Sequence, residues 1–171
     1  MDDLVITRLK GGLGNQMFQF AVGKHLSLKN GTPLLLDLSF FDLPEGSHTP
    51  RKFGLDAFGI EAEQATQDQL HAFRCFEKSG VFAAMERSLK RMMSYEFIID
   101  HLTGYQPETL NAKGRIFLDG YWQSEKYFLP IEADIRRSFI FTKELLGADL
   151  ELAEQMQASN SVSIHIRRGD Y

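Results

Sequence analysis

A strand, a glycine-rich turn, a helix and a second strand follow one another at the start of the chain, and this succession constrains the fold most. Asp3 to Leu9 reads as an apolar strand and Lys10-Gly11-Gly12-Leu13-Gly14 as the turn behind it. Asn15 suits the N-cap of a helix, where its side chain can accept a bond from a free backbone N–H. Met17, Ala21 and Leu28, with Phe18, Val22 and Leu26, then recur at the helical period. Asn30-Gly31 is a C-terminal stop, because glycine takes the left-handed conformation at little cost. Pro33 to Leu38 is an unbroken apolar run of the kind a parallel sheet covers on both faces. Such a unit predicts an α/β layer fold with a mainly parallel sheet.

The remaining pattern extends this reading. Thr66-Gln67-Asp68-Gln69 forms a capping box ahead of Leu70 and Phe73. Phe82, Met85, Leu89 and Met92 mark one face of a helix, with Arg87, Lys90 and Arg91 on the rest. That basic amphipathic helix suits either a solvated surface or contact with anionic lipid. Ile116 to Asp119 is another strand, Ser124 suits the cap of a short helix through Phe128, and Ala148 to Ala158 has helical composition. Val162 to Arg167 reads as a closing strand.

Composition narrows the partners. The 171 residues, 43% hydrophobic and 25% charged, suit one globular domain. A net charge of -4 argues against nucleic acid, which calls for a basic footprint. Cys75 stands alone, which rules out an internal disulfide and suits a reducing cytoplasm. No apolar run approaches the ~20 residues that span a bilayer.

Two stretches carry chemistry. In the closing strand Val162, Ile164 and Ile166 share one face, while Ser163, His165 and Arg167 share the other. Burying such groups without partners costs a few kcal/mol each, a cost tolerated where they face a ligand. Arg167, Arg168 and Asp170 fall at the carboxyl end of that strand, the edge at which open α/β sheets bind ligands. A guanidinium fork grips two phosphate oxygens at once, so Arg167 is the expected anion contact. Arg168 serves equally as an ion-pair partner of Asp170 that fixes the turn, and His165 as a ligand contact or a core histidine. Asp170 orients an arginine or acts as general base, a role for which Asp37 is the other candidate by position. In the N-terminal turn, Gly12 and Gly14 permit close approach of a ligand to the backbone, and the helix start offers free N–H groups. The turn is half of a dinucleotide fingerprint, with Met17 at the third glycine position. Asp37 lies at ribose spacing, so a nicotinamide-dependent Rossmann oxidoreductase stands as an alternative.

Three strings taken together are more specific. Arg8-Leu-Lys-Gly-Gly-Leu-Gly-Asn-Gln-Met-Phe-Gln-Phe-Ala21, Gly120-Tyr-Trp-Gln-Ser-Glu-Lys-Tyr-Phe128 and His165-Ile-Arg-Arg-Gly-Asp-Tyr171 resemble, in order and spacing, the motifs of the bacterial α-1,2-fucosyltransferases of glycosyltransferase family 11. Phe20 and Trp122 depart from the aromatic residues more usual at their positions. The resemblance implies a GT-B-type architecture of two Rossmann-like domains with the reaction in the cleft between them. It implies inverting, metal-independent transfer of L-fucose from GDP-β-L-fucose to the 2-hydroxyl of a galactoside, with no cofactor. By the same analogy Arg167 would contact the β-phosphate and act in catalysis with Asp170. His165 and Arg168 would complete the donor contacts, and Gly12, Gly14 and Asn15 would face the cleft from the other domain. Residues 1–160 would then form the acceptor-side domain. Residues 161–171 would begin the GDP-fucose-binding domain, whose remainder lies beyond Tyr171, so the chain alone is not expected to bind GDP-fucose tightly. Tyr121 and Trp122 are candidates to stack on an acceptor sugar, with core packing expected for at least one. Expected partners are a galactose-containing oligosaccharide or lipid-linked glycan, in the cytoplasm, with peripheral contact at the inner membrane. A non-catalytic sugar-binding remnant is the third reading.

Overall fold

The computed structural model describes residues 2–43, 51–60, 63–100, 104–142, 144–164 and 166. Its centre is a five-stranded sheet in the order β3-β2-β1-β5-β4, parallel throughout. The strands are β1 (Leu4–Arg8), β2 (Leu34–Asp37), β3 (Glu63–Gln64), β4 (Tyr95–Ile99) and β5 (Arg115–Asp119). The helices are α1 (Leu13–Asn30), α2 (Gln67–His71), α3 (Arg74–Glu77), α4 (Val81–Met92), α5 (Glu132–Ser138) and α6 (Ala148–Gln157). The expected α/β class and parallel sheet are therefore present, and the domain is Rossmann-like. No described helix is long and apolar enough to cross a membrane.

Alternation along β1 sorts its side chains between two layers. Val5 joins Val22 and Leu26 of α1, with Trp122 and Tyr127, in the core on one face. Ile6 joins Leu35, Phe73, Tyr95 and Phe117 on the other, beneath α2 and α3. Covering both faces is what allows the central strands to be apolar throughout. Helix α1 lies close on the sheet because Gly23 has no side chain. A Cβ there would sit 2.8 Å from Leu34 Cδ1 and 3.2 Å from Thr7.

Three local readings are amended. Helix α1 begins three residues earlier than expected, with Gly12 rather than Asn15 as N-cap and no side-chain capping bond. Gly11, at φ 77°, turns the chain so that Gln16 N–H already donates to Gly12 O. Ser124 precedes a 3-10 turn (Glu125–Tyr127) rather than an α-helix, again without a capping bond. Strand β4 was not anticipated, since Glu96 interrupts its apolar pattern. By contrast, the capping box at Thr66 is formed in both directions, Gln69 N–H to Thr66 Oγ1 and Thr66 N–H to Gln69 Oε1. Of the anticipated closing strand, Val162, Ser163, Ile164 and Ile166 are exposed and outside any strand. A strand forms only against a neighbour that completes its hydrogen bonds, and this stretch has none among the described residues.

Candidate functional site at the carboxyl edge of the sheet

The central strands β1, β2 and β5 each end on a charged residue: Arg8, Asp37 and Asp119. Parallel pairing puts these ends side by side, and the register aligns Arg8 with Asp37. The Arg8 guanidinium lies 4.9 Å from the Phe117 ring centroid and reaches three carboxylates. Its Nε donates to Asp37 Oδ2, Nη1 to Asp119 Oδ2 and Nη2 to Glu77 Oε1, each at 2.8 Å. Lys10 Nζ adds a bond to Asp119 Oδ1 at 2.6 Å. Burial opposes the charge on Arg8, but hydrogen bonds to Asp37 and Glu77 and the charge of Asp119 more than offset it, holding the group above its ordinary pKa. The result is a permanently charged, partly buried hub at the edge where such sheets bind ligands.

The first two sequence strings meet around this hub. Gln19 of α1 is fully buried, its Oε1 accepting from Lys10 N–H at 2.9 Å and its Nε2 donating to Gly120 O at 3.0 Å. One side chain thus ties the turn after β1 to the turn after β5. Gln16, also fully buried, donates to Gly11 O and Lys52 O and accepts from Gly54 N–H. Across the gap, Gln123 Nε2 donates to Asn15 Oδ1 at 2.8 Å, and Lys10 Nζ lies 5.1 Å from the Tyr121 ring centroid. Replacing Gln19 with leucine leaves a buried N–H and a buried C=O without partners. The expected loss is about 2–6 kcal/mol of unfolding free energy in urea denaturation, at about 1–3 per orphaned group.

The exit of β5 is held by β4. Asp100 Oδ2 accepts from Tyr121 N–H and Trp122 N–H, fixing a turn in which Trp122 adopts φ 54°. A left-handed non-glycine residue costs about 1 kcal/mol, which this carboxylate offsets. Gly120 is required there, because a Cβ would lie 2.2 Å from Asp100 Cβ. Trp122 is wholly buried against Tyr127, so of the two aromatic candidates only Tyr121, half-buried beside Lys10, remains open to a sugar.

Of the expected site residues, Gly12 and Gly14 have open space where a side chain would stand, and Asn15 lies beside Gln123 at the same edge. His165, Arg167, Arg168 and Asp170 lie outside the described residues. Asp37 is corrected: its side chain is fully buried and paired to Arg8, so it can neither bond a ribose nor accept an acceptor's proton, and the nicotinamide reading loses its acidic partner. Arg8, Lys10, Gln19 and Asp119 were missed as site residues. Charge at the end of an apolar strand, the signal that singled out Arg167, also marks Arg8 and Asp119. Gln16 and Gln19 interrupt the apolar face of α1, which signals a polar partner across the core.

The model of Glycosyl transferase family 11 matches residues 79–171, more than half of the chain. The chain belongs to glycosyltransferase family 11. This family 11 chain is 33% identical over 172 residues to an Escherichia coli protein named alpha-1,2-colitosyltransferase, covering 98% of the chain and 55% of that protein. It is 29% identical over 184 residues to the O-antigen biosynthesis glycosyltransferase WbnK of Escherichia coli, covering 95% of the chain and 58% of the relative. The family 11 chain thus spans somewhat over half the length of the curated relatives it matches. No solved structure matches it significantly.

Proposed function

We propose that this chain is the acceptor-side portion of an inverting α-1,2-glycosyltransferase that moves L-fucose from GDP-β-L-fucose to the 2-hydroxyl of a galactoside. The observation that carries this reading is the convergence of the Arg8–Ala21 and Gly120–Phe128 strings on one edge of a parallel sheet, joined through Gln19, in a family 11 chain. In a GT-B arrangement that edge faces the nucleotide-binding domain, which the third string, His165 to Tyr171, would open. Cleavage of the sugar–phosphate bond builds charge on the departing GDP. Arg167 steadies that charge at the β-phosphate, supported by Arg168 and His165. Gly12, Gly14 and Asn15 face the donor, Tyr121 stacks on the acceptor, and Asp170 orients an arginine or takes the acceptor's proton. No metal ion or cofactor takes part. The acceptor is a galactose-containing oligosaccharide or a lipid-linked glycan handled in the cytoplasm, with the enzyme in peripheral contact with the inner membrane.

The relative named for colitose supports a second donor reading. Colitose is fucose without its 3-hydroxyl, so the two donors differ at one hydrogen-bonding group. A site that bonds this hydroxyl rejects the deoxy sugar by about 10⁴-fold, whereas a site lined by apolar groups separates the two by only about 10²-fold. The deciding experiment is a transfer assay with GDP-fucose and GDP-colitose on a β-galactoside, using the protein as its gene encodes it. Fucosyl transfer to the 2-hydroxyl is the expected outcome. Preference for GDP-colitose would reassign the donor, and transfer of neither would overturn the reading.

A further inference from the structure

Helix α4 is amphipathic in the opposite sense to a helix that helps build a core. Val81, Phe82, Met85, Leu89 and Met92 fall on one stripe, and all are more than half exposed, Phe82 at 87% and Met92 at 83%. The opposite face packs on the protein through polar and small groups. Ala83 is buried, Arg87 Nη1 donates to Cys75 O at 2.8 Å and to Lys78 O at 2.6 Å, and Lys90 Nζ lies 4.3 Å from the Tyr95 ring centroid. A contiguous apolar stripe left in water is a cost that soluble surfaces avoid unless something covers it.

Charge indicates what that is. Residues 74–93 hold five basic and two acidic side chains, in a chain whose net charge is -4. Arg74, Lys78 and Arg91 are exposed, as is Glu86, the acidic residue on α4. A cationic island is repelled by the same island on a second copy across a two-fold contact and is drawn to a negatively charged sheet of headgroups. An apolar stripe on a helix that also carries basic residues is the pattern of a helix lying in the headgroup–acyl boundary. We infer that α4 docks the protein on anionic lipid bilayers, its apolar stripe in the headgroup–acyl boundary and Arg74, Lys78 and Arg91 at the lipid phosphates. Helix α4 starts just after Glu77, whose carboxylate bonds Arg8, so docking holds the carboxyl edge of the sheet close to the membrane surface. The inference is independent of which sugar is transferred.

The test is flotation of the 171-residue chain with vesicles of equal phosphatidylglycerol and phosphatidylcholine, against vesicles of phosphatidylcholine alone. The comparison variant is Phe82→Ser/Met85→Ser/Leu89→Ser, in which every changed side chain is exposed, with its fold checked by circular dichroism. Binding to anionic vesicles is expected, reduced about tenfold or more in the variant and on neutral vesicles and weakened by salt as screening shortens the reach of the charges. No vesicle binding, or equal binding by the variant, would overturn the inference. So would a concentration-dependent dimer in sedimentation that the triple variant abolishes, which would assign the stripe to a second copy.

Discussion

Arg8→Met is expected to lower the unfolding free energy by about 3–5 kcal/mol, the range found when one member of a buried ion pair is removed. The loss concentrates on Asp37. That carboxylate is wholly buried, and beyond Arg8 its side chain accepts one further bond among the described residues, from Ser39 N–H to Oδ1 at 3.0 Å. Asp119 keeps Lys10, and Glu77 is exposed enough for water to replace the guanidinium, so neither adds much. Methionine matches the length of the arginine stem and preserves contact with Phe117, which separates lost charge from lost packing. Adding Asp37→Asn to the variant should recover a large part of the deficit, because the orphaned charge is then gone. Urea denaturation of the two single variants and the double variant measures the coupling. A deficit under about 1 kcal/mol for Arg8→Met would mean that the hub behaves as a surface ion pair.

Arg167→Ala is expected to reduce glycosyl transfer by about a hundredfold or more with folding unchanged, in the protein as its gene encodes it. Removing one preorganised donor aimed at developing charge has effects of this size. The pattern of loss is informative. A group that holds the departing diphosphate lowers kcat and kcat/KM together, whereas one that only anchors the ground-state donor raises KM. Arg167→Lys should recover little, since a lysine ammonium cannot grip two phosphate oxygens as a guanidinium fork does. Turnover close to that of the parent protein would remove Arg167 from its assigned role.

Much of the architecture was legible from local signals. The β1–α1–β2 unit follows from two apolar runs, a 3.6-residue period and glycine turns. The box at Thr66 formed as its spacing required, because both of its bonds lie within four residues. Strand β4 was hidden because Glu96 interrupts its short apolar run and its partner β5 lies well along the chain. The hub was only half legible. Charges at strand ends were visible in the string, but nothing local says that Arg8, Asp37 and Asp119 end on adjacent strands, since residues 38 to 118 separate the last two.

Asp37 shows why spacing alone misleads. Its distance from the glycine turn fits a ribose contact, yet the parallel register of β1 and β2 delivers Arg8 to it first, and a buried carboxylate stays with the cation that neutralises it. Helix α4 carries the same lesson outward: its period was plain, but periodicity reports that a helix has two faces, not which of them meets the core. Sequence alone determined β1, the glycine turn, the body of α1, β2 and the capped start of α2, because capping, glycine conformation and hydrophobic period act between residues a few positions apart. Which strands lie side by side, which carboxylates surround Arg8 and which face of α4 looks into water were decided only by tertiary packing, because those energies arise between residues brought together by the sheet.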